Sequence, residues 1–73
     1  MDLNEWIDSK GGVAGAAEIL GESPRAVASW YYTERAPKLK SVVNIIEKSG
    51  YQVDFNGVFE PMARAMFGFK RPE

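Results

Sequence analysis

Residues 13–32, VAGAAEILGESPRAVASWYY, decide the fold because they read as two short helices joined at a glycine. Gly21 interrupts a first helical pattern, in which the apolar positions recur at i, i+3, i+4 and i+7. Ser23 and Pro24 then favour a new helix start, since serine caps the first amides and proline fits the first helical position. The stretch predicts a helix, a tight turn and a second helix that ends near Tyr32.

The second predicted helix has two chemically different faces. Val27, Trp30 and Tyr31 recur at i, i+3 and i+4 and point one way, whereas Arg25 and Ser29 point the other way. The apolar face is predicted to pack in the core. The polar face is predicted to be exposed.

The flanking segments add two helices. From Asp2 to about Ser9, apolar residues at helical spacing predict helix 1. Residues 33–38 form a polar connection, and the wide apolar stripe that begins at Leu39 and breaks at Gly50 predicts helix 4. The fold class is therefore mainly α, a compact bundle of four to five helices.

The last third of the chain leaves two alternatives open. Tyr51, Val53 and Phe55 alternate with polar residues before an Asn-Gly pair, which favours a short strand or hairpin near 51–60. The alternative is an arm that leads into a fifth helix over 58–67, where apolar residues return to helical spacing. Residues 1–67 are predicted to form one domain and 68–73 a flexible C-terminal tail, whose Lys70 and Arg71 are available to a phosphate.

Composition disfavours several classes of function. The chain has no cysteine and no histidine, so it lacks the commonest general base and the usual zinc ligands. We therefore expect no enzyme activity, no metal and no cofactor. No apolar run is long enough to span a bilayer, and the first residues are acidic rather than basic and apolar, so a cytoplasmic protein is expected.

The charge is unevenly distributed, although the net charge is only −1. Residues 1–24 carry five acidic residues and one basic residue, whereas 25–48 carry five basic residues and two acidic ones. Because charges more than about 8 Å away are screened at physiological salt, a phosphate would respond mainly to the local basic cluster. A nucleic-acid partner is therefore compatible with the composition.

Residues 11–37 resemble the Cro and repressor type of helix-turn-helix family of phages and their bacterial relatives. The matching residues are Ala17, Gly21, Val27, Trp30 and Pro37, which lies seven residues after the tryptophan. This resemblance implies a lambda-repressor-like helix-turn-helix whose second helix enters the major groove.

Two positions depart from the pattern of that family. Glu22 stands where an apolar residue usually follows the turn glycine, and Thr33 stands where a glycine usually ends the recognition helix. Threonine is disfavoured in the left-handed conformation of such a glycine. We therefore expect the recognition helix to end differently here.

The resemblance implies a set of base-reading residues on the second helix, with Arg25 as the principal one because a guanidinium can bond guanine O6 and N7 together. The set is Ser23, Pro24, Arg25, Ala28 and Ser29. A second set would hold DNA phosphates without reading sequence. It comprises Lys10, Gly12, Tyr32, Arg35, Lys38 and Lys40. The alternative for the arginines and lysines is ordinary solvated surface charge.

The C-terminal third holds more apolar residues than three upstream helices easily cover, which favours a homodimer interface. Its predicted members are Phe55, Phe59, Met62, Met66 and Phe67. The functional hypothesis is a sequence-specific transcriptional regulator that binds a pseudo-palindromic operator in double-stranded DNA as a homodimer, in the cytoplasm of a bacterial host. The alternatives are a DNA-bending excision or architectural factor and an antitoxin-like protein-interaction module.

Overall fold

Side-chain caps and glycines set the helix boundaries in the computed structural model, which describes residues 1–72. Asp2 forms a capping box with Glu5 at the first helix, and the side chains of Ser23 and Asp54 cap the third and fifth helices. Within residues 1–72 the helices are α1 (Leu3–Ser9), α2 (Gly12–Leu20), α3 (Pro24–Tyr31), α4 (Leu39–Lys48) and α5 (Phe55–Phe67). The mainly helical bundle expected from the sequence is confirmed.

One apolar core joins all five helices, and α2 lies at its centre in contact with α1, α3 and α4. The buried apolar side chains come from every helix and from the α4–α5 connection. They are Leu3, Trp6, Ile7, Ala16, Ala17, Leu20, Val27, Trp30, Val42, Ile45, Val53, Val58 and Met62. The small alanines of α2 allow its neighbours to approach closely, which fixes the position of α3.

Two asparagines attach α2 and α3 to the flanking helices α1 and α4. Asn4 of α1 donates its side-chain amide to the carbonyl of Tyr31 at the end of α3, at 3.0 Å. Asn44 of α4 donates in the same way to the carbonyl of Leu20 at the end of α2, at 2.8 Å. Because the last carbonyls of a helix have no partner within it, each asparagine satisfies an acceptor that α2 or α3 cannot satisfy itself.

Gly15 is required where the α1–α2 turn folds back on α2. A β-carbon on Gly15 would overlap the Lys10 carbonyl oxygen and would lie 3.0 Å from the carbonyl carbon. Both atoms belong to the backbone, and no side-chain rotation could make room for the added methyl group. The turn itself reaches this position through Gly11 and Gly12, which have φ angles of 89° and 83°.

The predicted strand or hairpin near 51–60 is wrong, because residues 1–72 contain no strand and α5 begins at Phe55. The alternation around Val53 arises from a turn. Tyr51 has a φ of 66° and donates its amide to Ile46, while the Val53 amide donates to the Ser49 hydroxyl at 3.2 Å. The turn held by these hydrogen bonds places Val53 in the core without pairing it to a neighbouring strand.

The fifth helix also begins earlier than the predicted 58–67. Asp54 accepts a hydrogen bond from the Gly57 amide at 2.7 Å, so the capping energy offsets the weak helix propensity of Asn56 and Gly57. Pro61 lies inside α5 rather than in its first turn. The helix therefore tolerates one missing amide donor.

The end of α3 differs from expectation at Thr33. The sequence disfavours a left-handed residue there, yet Thr33 has a φ of 55°. Three backbone hydrogen bonds hold this conformation. The Thr33 amide donates to the Trp30 carbonyl, and the amides of Glu34 and Arg35 both donate to the Ser29 carbonyl. The chain thus makes the same reversal that a glycine would make, at the cost of backbone strain.

The segment after α5 folds back on that helix. The Phe69 amide donates to Ala63, and the Arg71 guanidinium contacts both carboxylate oxygens of Glu60, at 2.6 and 2.7 Å. The expectation that Arg71 is available to a phosphate is therefore corrected, because a bidentate ion pair occupies it. The tail was predicted to extend to Glu73, which lies outside the described residues.

Candidate nucleic-acid interface

The outer surface of α3 carries the residues predicted to read bases. Ser23, Pro24 and Arg25 are exposed at its beginning, and Ala28 and Ser29 are half-buried one turn later. The opposite side of the helix is buried through Val27 and Trp30, as the sequence predicted. The structure therefore brings all five predicted base-reading residues onto or beside one accessible helical surface.

The two serines of this surface have different hydrogen-bonding capacity left for a ligand. The Ser23 hydroxyl accepts from the Ala26 amide at 3.1 Å as the helix cap, so its proton stays available for donation. The Ser29 hydroxyl donates to the Ala26 carbonyl at 2.6 Å, so it retains only acceptor capacity.

A concavity runs beside α3, with a volume of about 470 Å³. It is formed by the outer surface of the helix and by the loop that follows the left-handed Thr33. Its lining residues are Ser23, Arg25, Ala26, Ala28, Ser29, Glu34 and Arg35. The concavity joins predicted base-reading residues to Arg35, a predicted phosphate ligand, and adds Glu34, to which the sequence analysis assigned no role.

Glu22 has a structural role that its departure from the family pattern did not suggest. Its carboxylate accepts a hydrogen bond from the Ser41 hydroxyl at 2.9 Å. Ser41 lies in the first turn of α4, whose N-cap residue, Lys38, forms no side-chain cap. The acid therefore connects the α2–α3 turn to the amino end of α4, where a negative charge is stabilised by the helix dipole.

The predicted phosphate ligands lie at the end of α3, at the start of α4 and at the α1–α2 junction. Lys38 and Lys40 are exposed at the start of α4, and Lys38 shares a shallow depression with Arg35 and Ser29. Lys10 and Gly12 lie at the start of α2, whose N-cap glycine provides no side-chain bond to the first amides. Such a helix start can donate backbone amides to an anion.

The basic residues in this region are not neutralised by neighbouring acids. Within residues 1–72 the only ion pairs are those of Glu60 with Arg64 and with Arg71, on α5 and the tail. The other described cations form no ion pair, and those among the predicted DNA ligands are Lys10, Arg25, Arg35, Lys38 and Lys40. Their charge is directed to solvent or to a ligand.

Two tyrosines follow each other at the end of α3 and differ in environment. The Tyr31 hydroxyl donates to Asp8 of α1 at 2.7 Å, and this hydrogen bond, together with the carboxylate charge, raises the pKa of Tyr31 above its usual value. Tyr32 is 65% exposed and meets the Tyr31 ring edge to face. Tyr32 is therefore accessible to a ligand, as the prediction of a phosphate contact requires.

The surface predicted as a dimer interface is exposed except at one residue. Phe55, Phe59, Met66 and Phe67 are exposed on α5, and Phe67 is 83% exposed. Met62 is only 4% exposed and belongs to the core, so its predicted place in the interface is corrected. Met62 shares the helical stripe of Phe55, Phe59 and Met66, and the core covers it in the middle of that stripe.

Neither a group of metal ligands nor a membrane-spanning helix is found among the described residues. No group of three or more acidic side chains lies close enough within residues 1–72 to hold a metal ion. In the same part of the chain, the helices are too short or too polar to cross a bilayer. No family model matches the chain, and neither a curated protein nor a solved structure matches it.

Proposed function

We propose that this protein is a sequence-specific DNA-binding regulator that inserts α3 into the major groove. The observation that carries the proposal is the two-sided character of α3. Val27 and Trp30 anchor its inner side in the core, while Ser23 and Arg25 stand exposed on its outer side. A short helix held in this way behind a glycine turn is the geometry that presents side chains to base edges.

The electrostatic arrangement supports a phosphate-rich partner despite the net charge of −1. Arg35, Lys38 and Lys40 follow α3 and form no ion pair with any residue between 1 and 72. Asp8 and Glu22 accept hydrogen bonds from Tyr31 and Ser41 and keep their negative charge. A duplex approaching α3 would therefore meet these unpaired cations together with the carboxylates of Glu22 and Glu34, which line the same concavities.

The proposal includes a symmetric homodimer on a pseudo-palindromic operator, because two recognition helices about 34 Å apart enter successive major grooves. Phe55, Phe59 and Met66 lie at i, i+4 and i+11, which places them along one stripe of α5. These three exposed apolar side chains flank the buried Met62, and on so small a protein they favour association with a second copy. The protein would act in the cytoplasm of a bacterial host, with no cofactor.

Binding assays at about 50 and 200 mM salt test the DNA-binding proposal. The probes are a duplex selected by the wild-type protein from a randomised pool and an unrelated duplex of equal length. Arg25→Ala should lose most of the preference for the selected duplex, whereas Lys38→Ala should weaken both duplexes equally and lower the salt slope by about 1. Lys48→Ala removes the same charge from the far end of α4 and serves as the matched control.

Several outcomes would contradict this function. If the wild-type protein enriches no sequence from the pool, the proposal of sequence-specific binding is refuted. An affinity that does not fall with salt would mean that phosphates are not contacted. For the homodimer, sedimentation of wild type and Phe59→Ser should show that the substitution weakens association, and a wild-type monomer at every concentration that binds DNA would refute this part.

A protein-interaction module, such as an antitoxin-like domain, is the second candidate, and the exposed apolar surface of α5 favours it. Phe67, which is 83% exposed, and Phe55, which is 49% exposed, lie outside the core. A partner protein could bury these two side chains in place of a second copy of the chain. Salt-insensitive behaviour together with stable capture of a defined partner protein through α5 would favour this candidate over DNA binding.

A further inference from the structure

We infer that Glu34 reads a cytosine in the major groove, next to the guanine assigned to Arg25. This inference rests on the proposed function and adds a specificity-determining residue to it. Glu34 lines the same concavity as Ser23, Arg25 and Ser29. It lies outside α3 in sequence, so the helical pattern of the chain gives no indication that it belongs to this surface.

The backbone of Glu34 is held firmly in place. Its amide and that of Arg35 both donate to the Ser29 carbonyl, at 2.9 and 3.2 Å. Thr33 directs the chain to this point through its left-handed conformation. A side chain on such a reversal has a defined starting position and direction, which base recognition requires.

The carboxylate of Glu34 is available for a ligand. Two arginines line the same concavity, yet neither forms an ion pair with Glu34, and every ion pair in residues 1–72 involves Glu60. Among the described residues, no side-chain hydrogen bond involves the Glu34 carboxylate either. An exposed carboxylate therefore stands on a surface that is otherwise suited to phosphates.

An acid at this place would be repelled by the DNA backbone unless it met a hydrogen-bond donor in the groove. The major-groove edge of a G·C pair offers such a donor in the cytosine N4 amino group, beside the guanine O6 and N7 acceptors that suit arginine. A carboxylate accepts from the cytosine N4 amino group, and a guanidinium donates to guanine O6 and N7. The two groups in one concavity are therefore complementary to the edges of these two bases. Glu34 would accept from N4 and would disfavour base edges that present only acceptors.

Two substitutions with the same change in charge separate base reading from simple repulsion. Glu34→Ala should abolish the preference for cytosine at one position of each half-site, a change of about 5- to 150-fold against the other bases. Glu34→Gln should move that preference toward adenine, because a carboxamide can bond adenine N6 and N7 together. The probes are single-base variants of the duplex that the wild-type protein selects from a randomised pool.

Glu47→Ala is the matched control, since it removes one exposed acid from α4 outside the concavity. It should leave the base preference at every position unchanged. If Glu34→Ala instead tightens binding to all variants by one common factor, and Glu34→Gln does the same, Glu34 acts only by repulsion and the inference is overturned. If the wild-type protein selects no sequence at all, the proposed function itself fails, which is a distinct result.

Discussion

Replacing Gly15 by alanine should destabilise the protein, although helix propensity alone predicts the opposite. Alanine in a helix interior is favoured over glycine by about 1 kcal/mol. The added methyl, however, would overlap the backbone carbonyl of Lys10. Overpacking costs about 1–3 kcal/mol, and a contact with backbone belongs at the upper end because no rotamer relieves it. The net loss is about 2 kcal/mol, which lowers Tm by about 8–16 °C in a domain of this size.

Thermal unfolding followed by circular dichroism measures this effect, with Ala14→Gly as the matched control. Ala14 is the exposed neighbour of Gly15 in α2, so the control reports helix propensity without the clash. It should cost about 1 kcal/mol. A Gly15→Ala variant with a higher Tm than wild type would mean that the α1–α2 turn does not lie against α2, and the packing argument would be refuted.

Three further predictions concern the ends of α3. Ser23→Ala should lower the stability by about 1 kcal/mol and Tm by about 4–8 °C, because the Ala26 amide loses its cap, whereas Ser23→Asp should retain the stability of wild type in the same melting experiment. Thr33→Asn should raise Tm, since asparagine tolerates the left-handed conformation that costs other residues about 1–2 kcal/mol, and a Thr33→Val variant that gained as much would exclude this explanation. The raised pKa of Tyr31 means that the folded state retains the phenol proton more strongly than the unfolded state, so stability should fall as pH rises above about 10. Denaturant titrations between about pH 9 and 11 should show a smaller fall in the free energy of unfolding for Tyr31→Phe, because phenylalanine has no phenol proton and no hydrogen bond to Asp8. An identical fall in both proteins would contradict the raised pKa of Tyr31.

The first four helices could be predicted from the sequence because their signals are local. Caps such as Ser23, breaks such as Gly21 and apolar residues at helical spacing act within a few residues of one another. Each observed boundary lies close to the predicted one. Local signals of this kind are reliable when propensity and burial agree, as they do throughout α1 to α4.

The sequence left two alternatives open around 51–60 because two local signals conflicted there. The alternation of Tyr51, Val53 and Phe55 and the pair Asn56-Gly57 favoured a strand, while Asp54 is a good helix cap. The cap prevailed because helix α5 can bury Val58 and Met62 in the core, which a hairpin in this short segment could not do. Tertiary burial thus outweighed the pattern.

The candidate site was predicted in part. The exposed residues of α3 follow from its two-sided pattern, and the structure places them as expected. Glu34 was missed because it reaches the concavity only through the reversal at Thr33, where sequence rules disfavour a left-handed residue. The bond between Glu22 and Ser41 spans 19 residues, and no local pattern indicates such a contact.

The hydrogen bonds from Asn4 to the Tyr31 carbonyl and from Asn44 to the Leu20 carbonyl separate the residues that position α2 and α3 from the residues exposed on α3. They hold the ends of α2 and α3 from α1 and α4, so an exposed α3 residue that forms no hydrogen bond, such as Arg25, contributes little to holding the helix in place. Changes at Arg25 should therefore cost the fold little, whereas changes at either asparagine should displace a helix. The outer surface of α3 can therefore accept substitutions such as Arg25→Ala while the helices beneath it keep their positions.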